Sequence, residues 1–220
     1  MGEQRQQSEP QATAAADLVV EVEGSHLAEA AHILATALRH DPGLQAVARA
    51  SGRRRDARVT ATMQALLDIH LAHGQPVWGI YREGRLVAVA LVERPGHALR
   101  LRPTCTAFVR LALATNPLHA LRVARVLAAS RRPRPRAAHH NLAALAVAPI
   151  AQGIGLGTRL LEELHRSCRE HPSSTGVALV TTNPANVPYF ERFAYTVASI
   201  TSAAGAELWA MWRPAQPSGE

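Results

Sequence analysis

Three glycines at alternate positions stand where an apolar segment of the sequence changes into an amphipathic one. The segment LAALAVAPIAQGIGLGTRLLEEL covers residues 142–164, and its glycines are Gly153, Gly155 and Gly157. Leucines follow them at helical spacing, so we predict that the glycines form a strand-to-helix turn. The first amides of a helix lack internal partners and attract anions, and glycine leaves them open to a phosphate oxygen. The spacing therefore predicts an anion-binding turn, because three glycines within a helical start are otherwise costly.

Two common nucleotide-binding patterns fit this turn poorly. A P-loop requires GxxxxGK[ST], and residues 142–164 contain no lysine. A dinucleotide fingerprint requires GxGxxG with an acidic residue after the next strand, but the spacing is GxGxG and the run GVALVTT leads into Asn183. A tight β-to-α connection without a ligand stays open as the alternative.

The same residues resemble a known family. VAPIAQGIGLG resembles the acetyl-CoA motif of the GNAT-type N-acyltransferases, Gln/Arg-x-x-Gly-x-Gly/Ala after a strand, with Gln152, Gly155 and Gly157 at its fixed positions. Downstream, NPANVPYFERFAYTV is similar to the second family motif, N-x-P-x-Y-E-R-x-G-F. With the closing LWAMWRP, these segments look most like the puromycin N-acetyltransferase-like branch.

The resemblance implies acetyl-CoA as cosubstrate and no metal. Main-chain amides of residues 152–158 would hold its pyrophosphate, and residues 145–147 would run beside the pantetheine arm as an extra strand. One of two asparagines would contact the cofactor from the next turn, although a helix cap suits either of them equally. The implied cofactor-binding residues are Leu145, Ala146, Val147, Gln152, Gly153, Ile154, Gly155, Leu156, Gly157, Thr158, Asn183 and Asn186.

The resemblance also implies direct transfer, in which a small-molecule amine attacks the thioester and the CoA thiolate leaves. Holding both reactants in one cleft supplies much of the acceleration, and a main-chain N–H near Val147 would stabilise the oxyanion. In many relatives a tyrosine immediately before the Glu-Arg pair protonates the sulfur, but here that residue is Phe190 and the tyrosine is Tyr189. Neighbouring helical residues point about 100° apart. Three explanations remain open. Tyr189 protonates the sulfur from a shifted helix, the thiolate leaves unassisted, or the chain is a catalytically impaired acyl-CoA-binding protein.

Other side chains are candidates for the remaining proton transfer. His139 and His140 precede the apolar run, where a neutral imidazole could accept the amine proton, although packing is the commoner role of such a histidine. Glu93 could attract a cationic amine, but a solvated strand end is favoured. The catalytic candidates are Tyr189, His140 and Val147.

Composition narrows the class of protein. The formal charge is +7, and arginines gather in SGRRRDAR (51–58) and SRRPRPR (130–136), which we interpret as solvated loops. Aromatic residues are 4% of the chain and do not alternate with the arginines, so a nucleic-acid-binding protein is a disfavoured alternative. Cys105 and Cys168 are far apart, which predicts idle or buried thiols rather than a disulfide or a zinc site.

The predicted elements suit the same fold. A strand near residues 17–24 leads into a helix capped by Ser25 and closed by Asp41-Pro42-Gly43, and a second helix covers 57–74. A hairpin follows, then helices interrupted at 115–117, then a strand, the glycine turn, a helix and further strands. This order predicts a mixed α/β class: a GNAT-like twisted mixed sheet with helices on both faces.

We expect a disordered lead-in at residues 1–16, one N-acetyltransferase domain at 17–214 and a flexible tail at 215–220. Residues 1–16 lack the pattern of a secretory signal, and no apolar run is long enough to span a membrane, so a cytoplasmic protein is expected. The expected partners are acetyl-CoA and a small amine, without nucleic acid or membrane, in a monomer or homodimer.

Overall fold

The structure of the chain is a computed structural model that describes residues 17–96 and 100–215. The predicted lead-in at 1–16 and the tail beyond residue 215 lie outside these residues. The strands are β1 (Val19–Glu21), β2 (Val77–Arg82), β3 (Arg85–Glu93), β4 (His140–Val147), β5 (Gly176–Thr181), β6 (Thr196–Ala203) and β7 (Ala206–Pro214). The helices are α1 (Leu27–Ala37), α2 (Pro42–Ala48), α3 (Gly52–Ala72), α4 (Leu101–Ala114), α5 (Pro117–Arg131), α6 (Leu156–Glu170) and α7 (Val187–Glu191).

The strands form one mixed sheet in the order β1-β2-β3-β4-β5-β7-β6. β4 and β5 are parallel and are joined through α6, while the other neighbours are antiparallel. Helices cover both faces: α6 and α7 pack on one side, and α1 and α3 pack on the other. The predicted α/β class and the twisted mixed sheet with helices on both faces are confirmed.

Two apolar layers fix the sheet between its helices. On the α6 face, fully buried leucines of α6 pack against Ile80 and Leu179. On the opposite face, Leu34 and Leu67 pack against Val89. This burial positions the N-terminus of α6 at the end of β4, where the glycine turn lies.

β4 parts from β5 halfway along its length. Pairing of the two strands covers only residues 140–142 with 177–179, and it stops at Leu142 and Leu179. On the other edge of β4, Leu91 is opposite Ala144 and Val92 is opposite Leu142, so Ala143 is an extra residue. Such a β-bulge bends its strand, and here it coincides with the point where the cleft between β4 and β5 opens.

Three local predictions were wrong. Ser25 lies inside a 3-10 turn (Gly24–His26) and makes no cap, and His26 precedes α1. The residues expected to close that helix begin α2 instead, because Asp41 accepts a hydrogen bond from the Leu44 amide at 3.0 Å. The basic run at 51–58 is the first part of α3 rather than a loop, since helical propensity of arginine and alanine extends the helix to Gly52.

The second basic run is only partly solvated. It leaves α5 after Arg131 as predicted, but the side chain of Arg134 turns inward, and its exposed fraction is 19%. Both cysteines are free of disulfides; Cys105 is exposed, and Cys168 is buried with its Sγ 3.3 Å from the Ser174 hydroxyl.

Candidate active site

The glycine turn, residues 153–158, leaves its main-chain amides open, and we call it the glycine corner. Gly153 and Gly155 have φ values of 82° and 89°, and a Cβ atom at either position would meet no other atom within 4 Å. In the described part of the chain, no carbonyl or side chain accepts a hydrogen bond from the amides of residues 153–158. These amides lie at the positive end of the α6 dipole, so the corner has the donors and the space that an anion needs.

The strand before the corner presents two residues to the cleft. The Ala148 amide donates to the Val87 carbonyl at 2.8 Å, so Val147 and Ala88 form a pair without mutual hydrogen bonds. The alternation of an antiparallel ladder then directs the main-chain groups of Val147 and Leu145 away from β3 and toward the cleft. Ala146 faces the other way, toward Val89, so its main chain cannot also pair with a ligand in the cleft.

Gln152 closes the main-chain loop at this corner. Its side-chain amide donates to the Val147 carbonyl at 3.0 Å. Gln152, which matches the first fixed position of the family motif, therefore holds the turn in shape with its side chain. The side chain of Leu156 is buried in the core, so only its amide faces the corner, and Ile154 is exposed.

Tyr189 and Phe190 face different surroundings. A Cβ atom at Gly157 would lie 3.2 Å from the Tyr189 hydroxyl and 3.8 Å from the side chains of Leu145 and Val147. The hydroxyl is therefore beside the glycine corner and the last residues of β4. Phe190 is buried and lines the cavity that continues from the cleft.

The two asparagines have different environments. Asn183 accepts a hydrogen bond from the Ala185 amide at 3.1 Å, and so it caps the short 3-10 turn Pro184–Asn186. Asn186 is exposed, lies 3.4 Å from the Thr181 hydroxyl through its Nδ2, and lines the cavity. The cap accounts for Asn183, whereas Asn186 is positioned at the cleft.

A cavity of about 240 Å³ continues from the cleft. Its wall includes residues from the separating parts of β4 and β5 together with side chains from α3 and α5. The apolar lining includes Leu38, Leu44, Met63, Leu66, Leu91, Val126, Leu127, Leu142, Leu145, Leu179, Phe190 and Leu208. A mostly apolar cavity with few polar groups is the usual form of a small-molecule site.

Several polar side chains that line this cavity were not predicted as site residues, among them His70, Arg131, Arg134 and Asn141. Glu93 also lines it; the sequence named it as a candidate for attracting a cationic amine but favoured a solvated strand end. That interpretation is wrong, because Glu93 is 9% exposed and accepts a hydrogen bond from Arg134 at 2.5 Å. The one available signal was a charged residue directly after the apolar run of β3.

His140 is not brought to the cleft. It opens β4 opposite Val177, about 23 Å of extended strand from Val147. Its ring is fully buried, with Nδ1 2.9 Å from the Ser174 hydroxyl and Nε2 3.4 Å from the Ser167 hydroxyl. Burial, with the nearby His171, lowers the pKa of His140 to about 4. His140 thus packs as a neutral ring at the start of β4, where β4 and β5 are still paired and the sheet is closed.

His139 is also away from the corner. Its Nδ1 donates to the Ala137 carbonyl at 2.7 Å, and its ring lies edge-on to Trp212. Neither histidine lines the cavity.

Within residues 17–96 and 100–215, no group of three or more His, Cys, Asp or Glu side chains is arranged to hold a metal ion. The helices of the same residues include none that is long and apolar enough to cross a bilayer.

Comparison with known proteins gives the class of this fold. A family described as acetyltransferase (GNAT) domain matches residues 120–211. The structure titled histone acetyltransferase HPA2 and related acetyltransferase, from Corynebacterium glutamicum, is similar, with a TM-score of 0.65 and 20% identity over 91% of this chain and 98% of that chain. No curated protein sequence matches the chain.

Two further structures have the same fold at lower similarity. The C-terminal condensation domain of Ebony, in complex with beta-alanyl-dopamine, has a TM-score of 0.57 at 12% identity, over 90% of this chain and 98% of that chain. Ribosomal-protein-alanine N-acetyltransferase from Brucella melitensis has a TM-score of 0.53 at 16% identity, over 90% and 99%. The chain therefore has the fold of the GNAT acetyltransferases, and residues 120–211 match their domain in sequence.

Proposed function

We propose that this protein is an acetyl-CoA-dependent N-acetyltransferase whose acceptor is a small-molecule amine. The observation that carries the proposal is the row of unbonded amides at residues 153–158, which leads directly into the cleft between β4 and β5. An anion site that continues into a narrow cleft suits a ligand with a diphosphate at one end and a thin arm at the other.

In this proposal each part of the corner has a separate task. The amides of residues 153–158 hold the diphosphate, and Gln152 keeps them in place through the Val147 carbonyl. Main-chain groups of Leu145 pair with the arm of the cofactor, and the N–H of Val147, whose carbonyl is held by Gln152, is the proposed oxyanion donor. Acetyl-CoA supplies the thioester: the amine nitrogen bonds to its carbonyl carbon, the C–S bond breaks, the thiolate leaves, and the nitrogen loses a proton.

The size of the cavity supports a small acceptor. Its volume of about 240 Å³ is below the usual range of ligand pockets, which begins at about 300 Å³. The likeness to the puromycin N-acetyltransferase-like branch rests on the sequence motifs and remains part of the proposal. The structurally similar proteins act on different molecules, and a shared fold does not determine the acceptor.

Calorimetry with acetyl-CoA tests the cofactor part of the proposal. We expect saturable binding by the unmodified protein, and binding weakened by about tenfold or more in Gly155→Val, because the new side chain covers the amides. Gly205→Val is the matched control, since Gly205 also has a φ of 89° but lies in the β6–β7 turn. Equal affinity in Gly155→Val and the unmodified protein would contradict the placement of the diphosphate.

A second candidate function is an acyl-CoA-binding protein that does not catalyse transfer. The observation that favours it is Phe190, which presents a buried hydrocarbon ring where many relatives have a proton-donating tyrosine. Release of CoA thiol in the presence of a broad panel of amines separates the two functions. Release with at least one amine supports the enzyme, whereas cofactor binding without release from any amine supports the binding protein.

A further inference from the structure

The charged side chains that line the cavity do not all have an ion-pair partner in the described chain. They are Asp41 and Glu93, which are acidic, and Arg131 and Arg134, which are basic. Asp41 accepts hydrogen bonds from the Leu44 amide at 3.0 Å and from the Thr182 hydroxyl at 2.6 Å. Both bonds reach the same oxygen, Oδ1, which holds α2 against the end of β5.

The other three charges lie together at the opposite end of the cavity. Glu93 is level with Asn141, which is level with Ala178 on β5, and Thr182 is four residues farther along, a distance of about 13 Å. At the Glu93 end, one carboxylate therefore faces two guanidinium groups. Among the described residues that line it, that end of the cavity has an excess of one positive charge.

The excess charge is poorly solvated. Arg131 is half-buried, and within the described residues no group forms a hydrogen bond or ion pair with its side chain, although its carbonyl accepts a hydrogen bond from the Arg134 amide. Burial lowers the pKa of Arg131, an effect that Glu93 opposes and Arg134 reinforces. Arg134 donates to Glu93 through Nη1, but its Nε is buried and has no acceptor among the described residues. A desolvated guanidinium with unused donors is costly unless an anion completes it.

We infer that the acceptor amine carries an oxyanion group, a carboxylate or a phosphate, which is bound by Arg131 together with the free side of Arg134. The inference rests on the proposed function, because it concerns the acceptor of the same site. The planar fork of an arginine matches either oxyanion through two parallel hydrogen bonds. The amine of such an acceptor then extends along the apolar wall toward the cleft.

Matched acceptors test the inference through the release of CoA thiol. The panel contains ω-amino acids of graded length, the corresponding ω-amino amides, and aminoalkyl phosphates of similar length, because the amine must reach the cleft from the Arg131 end of the cavity. We expect kcat/KM for one of the two anionic sets to exceed that for the amides by about 10- to 100-fold. Preference for the amino acids identifies the oxyanion as a carboxylate, and preference for the aminoalkyl phosphates identifies it as a phosphate.

Substitution of the arginine locates the effect. Arg131→Gln should remove most of that preference, mainly through a higher KM for the anionic acceptors, with a smaller change of kcat/KM for the amides and no loss of affinity for acetyl-CoA. Arg131→Lys should restore part of the preference, because it keeps the charge but not the fork. Arg132→Gln is the control, because Arg132 is the exposed neighbour and does not line the cavity.

Several results would overturn the inference without touching the proposed function. One is thiol release with amides or diamines that equals or exceeds release with the anionic acceptors. Another is a loss of acetyl-CoA affinity in Arg131→Gln with acceptor preference unchanged. If no amine releases thiol, the proposed function fails, and calorimetry with N-acetyl amino acids and their amides in the presence of CoA then decides the inference. Equal affinity for both sets would reject it.

Discussion

Tyr189 is the side chain whose role depends most on its position. Its hydroxyl lies beside Gly157, Leu145 and Val147, whereas the neighbouring Phe190 lines the cavity. These two neighbouring residues of a short helix therefore have different positions. The polar hydroxyl of Tyr189 lies at the glycine corner, and the apolar ring of Phe190 lines the cavity. Arg192 covers the outer face of the tyrosine ring, with 5.2 Å between the guanidinium carbon and the ring centroid.

For Tyr189→Phe we expect kcat to fall by about tenfold or more, with the affinity for acetyl-CoA changed less than twofold, because only a proton donor is removed. Steady-state kinetics and calorimetry measure the two quantities. Tyr81→Phe is the control, since Tyr81 lies on β2 away from the cavity lining. An unchanged kcat would instead show that the thiolate leaves unassisted, and a weaker affinity alone would make Tyr189 a cofactor contact.

At the scale of elements, α2 is a short helix that lines part of the cavity and packs against the end of β5. Gly43 in its first turn packs so closely on Thr182 that a Cβ atom would overlap that side chain. The contact is reinforced by the hydrogen bond between Asp41 and the Thr182 hydroxyl. Glycine is needed at this position for close approach rather than for a special backbone angle.

We expect Gly43→Ala to lower the free energy of unfolding by about 1–3 kcal/mol, because α2 must shift away from Thr182. Denaturant unfolding measures this change. Gly24→Ala is the control: a Cβ atom there meets nothing within 4 Å, so the stability should be unchanged or slightly raised. Equal stability of the two variants would mean that α2 does not rest on β5 as described.

At the scale of the whole molecule, His140 and His165 are two of the buried histidines, and they are neutral parts of the core. His165 lies 3.0 Å from the Tyr195 hydroxyl through its Nε2, and burial lowers the pKa of His165 to about 4, as it does that of His140. Burial also raises the pKa of Tyr195. His165 is part of α6, and His140 is the first residue of β4. Because both are in the core, their charge state affects the stability of the whole domain.

The pH dependence of stability follows from these shifts. Between about pH 6.5 and pH 4 the unfolded chain binds protons that the folded chain does not, so stability falls as the pH falls. Each histidine is expected to remove up to about 3 kcal/mol by pH 4. Denaturant unfolding from pH 7 to pH 4 should show this loss, and His165→Gln should reduce the slope. The exposed His40→Gln should leave the slope unchanged; an equal slope in all three proteins would contradict neutral burial.

The sequence by itself determined the features that are local. Hydrophobic spacing predicted the β2–β3 hairpin, the interrupted helices α4 and α5, and the course of β4 into α6, because each pattern depends only on neighbouring residues. The glycine corner was also predictable, since three glycines at a strand-to-helix turn have a direct physical reason. Its use for acetyl-CoA remains a proposal.

Only the tertiary structure decided which distant residues meet. The pair Glu93–Arg134 joins residues 41 positions apart, and the closed-end position of His140 depends on its pairing with β5. The bulge at Ala143, which opens the cleft, depends on the register with β3. Register and packing are set by burial of whole faces of helices and strands, and no short stretch of sequence contains that information.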